Sequence, residues 1–385
     1  MRFESIVLVS HITDLSGPSE AVENYLKTRS GRLGVIYHPF HYCVDRRSRL
    51  KDYREGVSAR EERGGGWALP ALLTYLKDVV FSFFYFFKLG GKFDVYLGAD
   101  PLNTVVGILL KWLGLTRFVI FYTIDWMPGR FANPALNAVY HWLDRFCVRH
   151  CDAAWNISPR IQDVRRSQGL PDHRNILVPV GVDLEKIDLP DKSGKEPCDL
   201  VLLGALAPSK GVDLVIEAFP ALKERFPQLK LHVIGKTPHE AVEDGVVYQP
   251  YEPRLAALGP DVILHGAKPH DEVLAMLPHY DLSLALYRPS ENNLTQWADP
   301  SRVKDYLACG LPVLITPVPE IHKDITARNA GKVIDYAVEP LARAVGELLA
   351  DRELWLAMRQ NALEYMAGYA WSAILDGVFA KTLRV

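Results

Sequence analysis

The stretch Ala298-Asp-Pro-Ser-Arg-Val-Lys-Asp-Tyr-Leu-Ala-Cys-Gly-Leu-Pro-Val313 writes a helix start and its return strand in a single passage. Asp299 is a good N-cap and Pro300 suits the first helical position, so exposed backbone N–H groups and the positive end of the dipole are predicted near Ser301 to Lys304. Arg302 and Lys304 add full positive charge to that turn, which is unfavourable at a helix N-terminus unless an anion neutralises it. The segment therefore points to a bound phosphate or diphosphate. Gly310 suits a left-handed position just past the helix end, and Leu311-Pro-Val-Leu-Ile315 reads as a buried strand. Taken alone the passage also fits an ordinary helix-to-strand junction, so the neighbouring segments decide.

Upstream, strand Leu200 to Leu203 runs into Gly204-Ala-Leu-Ala-Pro-Ser-Lys-Gly-Val-Asp213 and then an amphipathic helix, Val212 to Arg225. Gly204 permits close backbone approach at the strand end, and Lys210 stands where a lysine reaches a diphosphate as a point charge. The loop is neither a Walker A loop nor a Rossmann Gly-x-Gly-x-x-Gly. The series continues with strands Lys230 to Ile234, Val262 to Leu264 and Leu282 to Leu286 and helix His270 to Leu277. Helices Glu339 to Leu349, Arg352 to Tyr369 and Trp371 to Thr382 close it. The N-terminal half alternates in the same way. Its strands are Ser5 to Ser10, Leu33 to Tyr37, Val95 to Gly98, Phe118 to Tyr122 and Ala153 to Ile157, with helices Ser19 to Thr28, Pro101 to Leu113 and Pro134 to His150 between them. Alternation of this kind predicts an α/β fold of two parallel-sheet, Rossmann-like domains, with ligands in a cleft at the carboxyl ends of the strands. The expected boundaries are 1–183 for the first domain, 184–198 for a linker, 199–368 for the second domain, and 369–385 for a helix returning to the first. The linker rests on the polar, twice proline-broken run Asp188 to Pro197, and the Arg/Glu/Gly-rich residues 41–66 read as a mobile basic excursion.

Composition narrows the classes. The 385 residues suit two domains, and 49% apolar with 23% charged residues is a globular balance. A formal net charge of −2 gives no basic excess with which to release phosphate counterions, which argues against nucleic acid as a partner. The five cysteines are scattered; Cys147 and Cys151 have no second pair at zinc spacing, so no metal site and a reduced, cytoplasmic setting are expected. The N-terminal apolar run is short and predicts a first strand instead of a signal peptide. Val79-Val-Phe-Ser-Phe-Phe-Tyr-Phe-Phe87, flanked by Lys77 and Lys88, is too short to span a bilayer as a helix. It reads either as a helix buried in the core or as one whose outer face dips into a membrane interface.

Four motifs in this order, Gly-x-Leu-x-x-x-Lys-Gly-Val-Asp-Leu at 204–214, His-Val-Ile-Gly at 232–235, Leu-His-Gly at 264–266, and Pro-Ser-Arg-Val-Lys-Asp-Tyr-Leu-Ala-Cys-Gly-Leu-Pro-Val at 300–313, resemble the donor domain of glycosyltransferase family 4. Val178-Pro-Val-Gly-Val-Asp183 looks like the interdomain motif of that family, and Leu15-Ser-Gly-Pro-Ser-Glu20, with Gly17, resembles its glycine-containing first loop. The resemblance implies a GT-B fold and a retaining transfer from a UDP- or GDP-sugar to a polysaccharide or glycolipid acceptor. It implies a diphosphate held by Lys210 and by backbone N–H groups near Val303 and Lys304, with ribose hydroxyls on Asp305 and the base near Gly235, His265 and Gly266. Two positions depart from the family. Ala205 stands where an arginine often follows the loop glycine, and Trp297 where the first glutamate of a Glu-x7-Glu pair contacts the sugar. Asp299 or Glu291 would substitute for the glutamate, and Arg302 for the arginine, unless Arg302 pairs with Asp299 or Asp305.

In the first domain Phe121-Tyr-Thr-Ile-Asp-Trp-Met-Pro128 resembles the place where the family often carries a His-Asp pair, with Ile124 replacing the histidine. Asp125 is the candidate for orienting the acceptor or the sugar, Arg130 for an acceptor phosphate, and His11 for lining the acceptor side. The leaving diphosphate accepts the acceptor's proton in the mechanism implied, so the electrostatic trap around Lys210 is the main catalytic device and no metal or cofactor is needed. A lipid-linked acceptor would account for the aromatic segment, at the inner face of the cytoplasmic membrane. The alternative is a non-catalytic GT-B subunit that binds a nucleotide-sugar or a partner enzyme, which Ala205 and Trp297 motivate.

Overall fold

The computed structural model describes residues 3–13, 17–239, 242–243, 246–290 and 293–382. Leu15, Ser16 and Glu291 lie outside these described residues. The chain divides into two compact units, Met1–Pro179 with Trp371–Val385, and Val180–Ala370.

The first unit holds strands β1 (Phe3–Ile12), β2 (Ser30–Pro39), β3 (Ser48–Arg54), β4 (Val57–Gly64), β5 (Phe93–Ala99), β6 (Thr116–Thr123), β7 (Ala153–Asn156) and β8 (Asn175–Leu177). Its helices are α1 (Pro18–Lys27), α2 (Ala71–Lys88), α3 (Asp100–Trp112), α4 (Pro134–His150) and α5 (Pro159–Ser167). The sheet order is β4-β3-β2-β1-β5-β6-β7-β8, parallel except at the β2/β3 and β3/β4 pairs. Ile6, Val7, Leu8 and Val9 of β1 are all fully buried, as a continuous apolar run in a sheet covered on both faces must be. Strand order reverses at β1/β5, which makes the loops leaving these strands the natural ligand side of the unit.

Residues 41–66 correct the expected mobile excursion, because β3 and β4 pair as an antiparallel hairpin along the sheet edge. The turn is the two-residue loop Glu55-Gly56, both at positive φ (50° and 82°), a geometry whose twist suits a tight hairpin. The charges that suggested a loop line the edge strand instead, where Arg60 pairs with Glu62 and Arg63 with Glu61, and charge on an edge discourages further strand addition. The aromatic segment lies within α2 and is divided between core and surface. Tyr85 and Phe86 are buried, whereas Val80, Phe84 and Phe87 are 64%, 54% and 54% exposed.

The second unit holds β9 (Asp199–Leu203), β10 (Lys230–Ile234), β11 (Val242–Glu243), β12 (Val246–Val247), β13 (Val262–Gly266), β14 (Leu282–Ala285), β15 (Val313–Ile315) and β16 (Gly331–Val333). Its helices are α6 (Val212–Arg225), α7 (Glu252–Ala256), α8 (His270–Met276), α9 (Ser301–Ala308), α10 (Ile321–Arg328), α11 (Val338–Ala350) and α12 (Arg352–Met366). The parallel sheet runs β13-β10-β9-β14-β15-β16 and reverses at β9/β14. Leu200 and Leu202 point to one apolar layer and Val201 to the other.

The segment expected as a linker belongs to this unit. Leu184 and Ile187 pack on its core, and the buried Lys192 ammonium binds Tyr280 O and the Asp281 carboxylate. Burying that ammonium against a carboxylate fastens the strap, which composition alone had marked as loose. The last helix, α13 (Trp371–Thr382), returns to the first unit, where Phe379 stacks on Tyr25 and Trp155 Nε1–H donates to Thr382 Oγ1 at 2.8 Å.

Candidate functional site

In the second unit the loops leaving β9 and β14 interlock at the strand reversal. Gly211 has φ 76°, and a Cβ there would lie 1.7 Å from Leu286 O, so only glycine lets the first loop lie against the end of β14. Arg288 N–H then donates to Ser209 O at 3.0 Å, and Lys210 Nζ donates to Thr295 Oγ1 at 3.0 Å. Burial, and then the charge of Arg302, push the Lys210 ammonium down to about 8, while Glu243 pulls the other way.

Arg302, in the first turn of α9, completes the constellation. Its Nε–H donates to Tyr287 Oη and its Nη1–H to Leu203 O, both at 2.8 Å, and its Nη2 is buried without a hydrogen-bond partner. Gly204 has φ 111°, a conformation that disfavours side chains, and a Cβ there would stand at an ordinary contact distance of 3.6 Å from Arg302 Nη1. The chain therefore brings Lys210 and Arg302 together at the β9/β14 reversal, with an idle guanidinium nitrogen and, among the described residues, no carboxylate bonded to either. That arrangement is electrostatically incomplete without an anion. Arg302 pairs with neither Asp299 nor Asp305, and its guanidinium stands near the Lys210 ammonium.

Other residues of the opening passage have different work. Asp299 is not the N-cap: α9 starts at Ser301 after an uncapped Pro300, and the Asp299 carboxylate accepts Val180 N–H at 2.7 Å and pairs with Lys304. Lys304 also donates to Val180 O at 2.8 Å and is 2% exposed, so its ammonium is spent within the fold and is not offered to a ligand. Val303 is a core side chain, and its N–H donates to Pro300 O. Asp305 is buried and held 3.2 Å from His270 Nε2; burial pushes its carboxyl up, and the hydrogen bond to Asp305 pushes His270 up. Gly310 ends the helix at φ 68° as expected.

The strand-end glycines stitch the sheet: Gly204 N–H donates to Ile234 O and Gly235 N–H to Gly266 O. His265 stacks on His232 with Nε2 3.0 Å from His232 Nδ1, and burial lowers its pKa. Two carboxylate groupings, Asp183/Asp271 and Asp199/Asp281, already hold a lysine ammonium, Lys186 and Lys195 respectively.

In the first unit Gly17 opens α1, its N–H bonded to Glu20. His11 lies within β1, near its end and not after it, and both of its ring nitrogens are engaged, Nε2 with Asp78 at 3.2 Å and Nδ1 with Asn103 at 3.0 Å. Asp125 and Arg130 pair with each other just past β6, and both are partly exposed. The buried bidentate pair Arg165–Asp144 fixes the end of that strand through Thr123 Oγ1 at 2.8 Å. Asp100, at the end of β5, has φ 65°, and its Oδ1 is shut off from solvent without a hydrogen-bond partner. Burial and then Asp125 push its carboxyl up to about 6. Sequence reasoning missed Asp100, Tyr287, Thr295 and Glu243. Reading the end of β14 as the second half of a reversal would have found Tyr287 and Thr295.

Residues 185–365 match the family model described as glycosyl transferases group 1. The chain is 24% identical over 214 residues to a D-inositol 3-phosphate glycosyltransferase of Segniliparus rotundus, covering 53% of this chain and 46% of that one. It is 27% identical over 265 residues to a putative colanic acid biosynthesis glycosyltransferase, WcaL, of Escherichia coli K12, covering 67% of this chain and 61% of that one. It thus spans less than two thirds of the length of each of these curated relatives. Among solved structures it is similar to Anabaena HepE in complex with UDP, with a TM-score of 0.69 and 15% identity over 99% of both chains. The chain has a GT-B fold and carries, over residues 185–365, a glycosyl transferases group 1 domain.

Proposed function

We propose that the protein is a retaining glycosyltransferase that moves a sugar from a nucleotide-diphosphate donor, a UDP- or GDP-sugar, to a glycan or lipid-linked acceptor in surface-glycan synthesis. The observation that carries the reading is the pair Lys210 and Arg302 at the β9/β14 reversal, cationic and, among the described residues, without a bonded carboxylate. A leaving nucleoside diphosphate gains negative charge as the glycosidic bond breaks, and two fixed cations lower that barrier without reorganising. The UDP-bound HepE and the polysaccharide-related WcaL support the donor and acceptor classes. Asp305 holds the ribose, sharing its carboxylate with His270. Asp125 orients the acceptor, and Arg130 moves from it to an acceptor phosphate. The enzyme works on the inner face of the cytoplasmic membrane, which it touches through the exposed side of residues 79–87.

The test is release of nucleoside diphosphate from a panel of UDP- and GDP-sugars by the purified chain. Lys210→Ala should lower turnover by on the order of 10²-fold, as loss of one preorganised charge-stabilising group does. Full activity in Lys210→Ala overturns the assigned role. UDP binding with no turnover of any donor favours the non-catalytic reading that Ala205 and Trp297 motivate.

A further inference from the structure

The outer face of the helix layer α2–α3–α4 departs from what a doubly wound unit in water requires. Helices that cover a sheet normally turn charged side chains outward. Here α3 packs beside both α2 and α4, and all three turn apolar side chains to solvent. On α2, Leu72, Leu76, Val80, Phe84 and Phe87 are each more than half exposed, at helical spacing. On α3, Leu102, Val105 and Leu109 are half-buried and lead to Trp112, which is 60% exposed, with no charge along this line. On α4, Val139 and Trp142 are 53% and 60% exposed, and Trp112 and Trp142 converge on Phe146 with ring centroids 5.8 and 5.9 Å away.

Charge completes the pattern. The only carboxylates in the sequences of α2 and α4 are Asp78 and Asp144, 1% and 0% exposed, so neither helix shows one to solvent. Arg145, Arg149 and His150 are exposed at the C-terminal end of α4, whereas Lys88, at the end of α2, pairs with Glu62. An apolar face spread over three adjacent helices, bearing tryptophans and rimmed by cations, has the chemistry of a surface that lies in the headgroup region of an anionic bilayer. Among the described residues no helix is long and apolar enough to cross a membrane.

We infer that the whole α2–α3–α4 face, and not the α2 segment alone, is the membrane-binding surface, and that its partner is an anionic lipid bilayer. This rests on the proposed action at a membrane and widens the contact to α3 and α4. Apolar insertion supplies the hold, and the Arg145/Arg149 end supplies the preference for negative lipid.

The full chain is tested by flotation with phosphatidylcholine vesicles with and without phosphatidylglycerol, and by tryptophan quenching with brominated lipids. Wild type should float with the mixed vesicles, float less in high salt, and be quenched. Trp112→Ser/Trp142→Ser should bind at least tenfold more weakly and lose most of the quenching. Arg145→Gln/Arg149→Gln should lose about fivefold for each cation removed. UDP binding and the circular dichroism spectrum should stay as in wild type in every variant, which separates this face from the donor site. Wild type that does not float overturns the inference even where donor turnover is intact. Loss of binding in Leu76→Ser/Phe84→Ser with wild-type binding in the tryptophan variant overturns the three-helix surface and leaves the α2 contact alone. A wild-type dimer that the tryptophan variant converts to monomer, with no flotation, assigns the face to a second copy of the chain and overturns the lipid assignment.

Discussion

Lys210 and Arg302 lie over the same aromatic ring, that of Tyr287, with Lys210 Nζ 5.3 Å and the Arg302 guanidinium carbon 4.3 Å from its centroid. The ring and its hydroxyl hold two like charges near each other at the strand reversal. A buried pair of cations gains when an anion arrives, and the following expectations measure that gain.

With the Lys210 ammonium held at about 8 in the free protein, a bound diphosphate returns it towards its ordinary value. UDP binding should therefore take up about half a proton per site at pH 8 and close to one near pH 9, and the affinity should fall towards tenfold per pH unit above 8. Calorimetry in two buffers of different ionisation enthalpy checks this. Lys210→Gln should abolish the uptake, and an uptake that survives the substitution assigns the proton to another group.

Arg302→Lys keeps the charge but loses the fork that reaches Tyr287 Oη and Leu203 O together. UDP affinity should drop roughly 10- to 100-fold, the worth of one charge-assisted hydrogen bond of about 1.5–3 kcal/mol. Unchanged affinity in Arg302→Lys would show that Nη2 meets no phosphate.

The Asp299–Lys304 pair clamps the backbone of Val180 on both sides, through its N–H and its C=O. Breaking one partner strands the other as a buried charge, so Asp299→Ala should cost about 3–5 kcal/mol in urea unfolding. Asp299→Leu with Lys304→Met should recover most of that loss. A double variant as unstable as the single one contradicts the mechanism.

Asp100 has its carboxyl pushed up to about 6, so the native state binds its proton more tightly than the unfolded chain does. A raised value contributes stability below the ordinary carboxylate range that is lost as pH rises through about 6. At pH 7.5 Asp100→Asn should therefore be more stable than wild type by about 3 kcal/mol, and at pH 3.5 nearly equal. Melting curves at the two pH values decide it, and a gain of the same size at both would exclude the ionisation.

Asp305 and His270 are both pushed upwards, the first by burial and the second by its hydrogen bond to Asp305. Raised values mean that the pair stabilises the fold at low pH and that its contribution fades as pH rises; for His270 the loss begins near the ordinary histidine value of about 6.5. Between pH 6 and 8 the melting temperature should fall more steeply in wild type than in His270→Gln. Parallel slopes would remove the pair from the pH response.

Period and punctuation along the chain were enough to place strands at Lys230 to Ile234 and helices at Val212 to Arg225 and Pro134 to His150, because burial on a sheet face imposes a pattern that each segment carries by itself. The loop with Lys210 and the start of α9 were legible for the same reason: a strand end, a glycine and a cation are local signals. The hairpin at residues 48–64 was not, since an edge strand bears charge and its pairing depends on β2, not on its own composition. Nor could the chain's order tell which cation meets a ligand. Arg302 and Lys304 stand two residues apart and read alike, yet helical spacing turns the first towards Tyr287 and the second to the Asp299 carboxylate. The exposed apolar side chains of α3 and α4, such as Trp112 and Trp142, likewise could be told from core ones only once the sheet showed which side of each helix it leaves uncovered. Long-range packing chooses the face a side chain meets, and that choice ties the Lys304 ammonium to a carboxylate while it leaves a guanidinium nitrogen of Arg302 without a partner among the described residues.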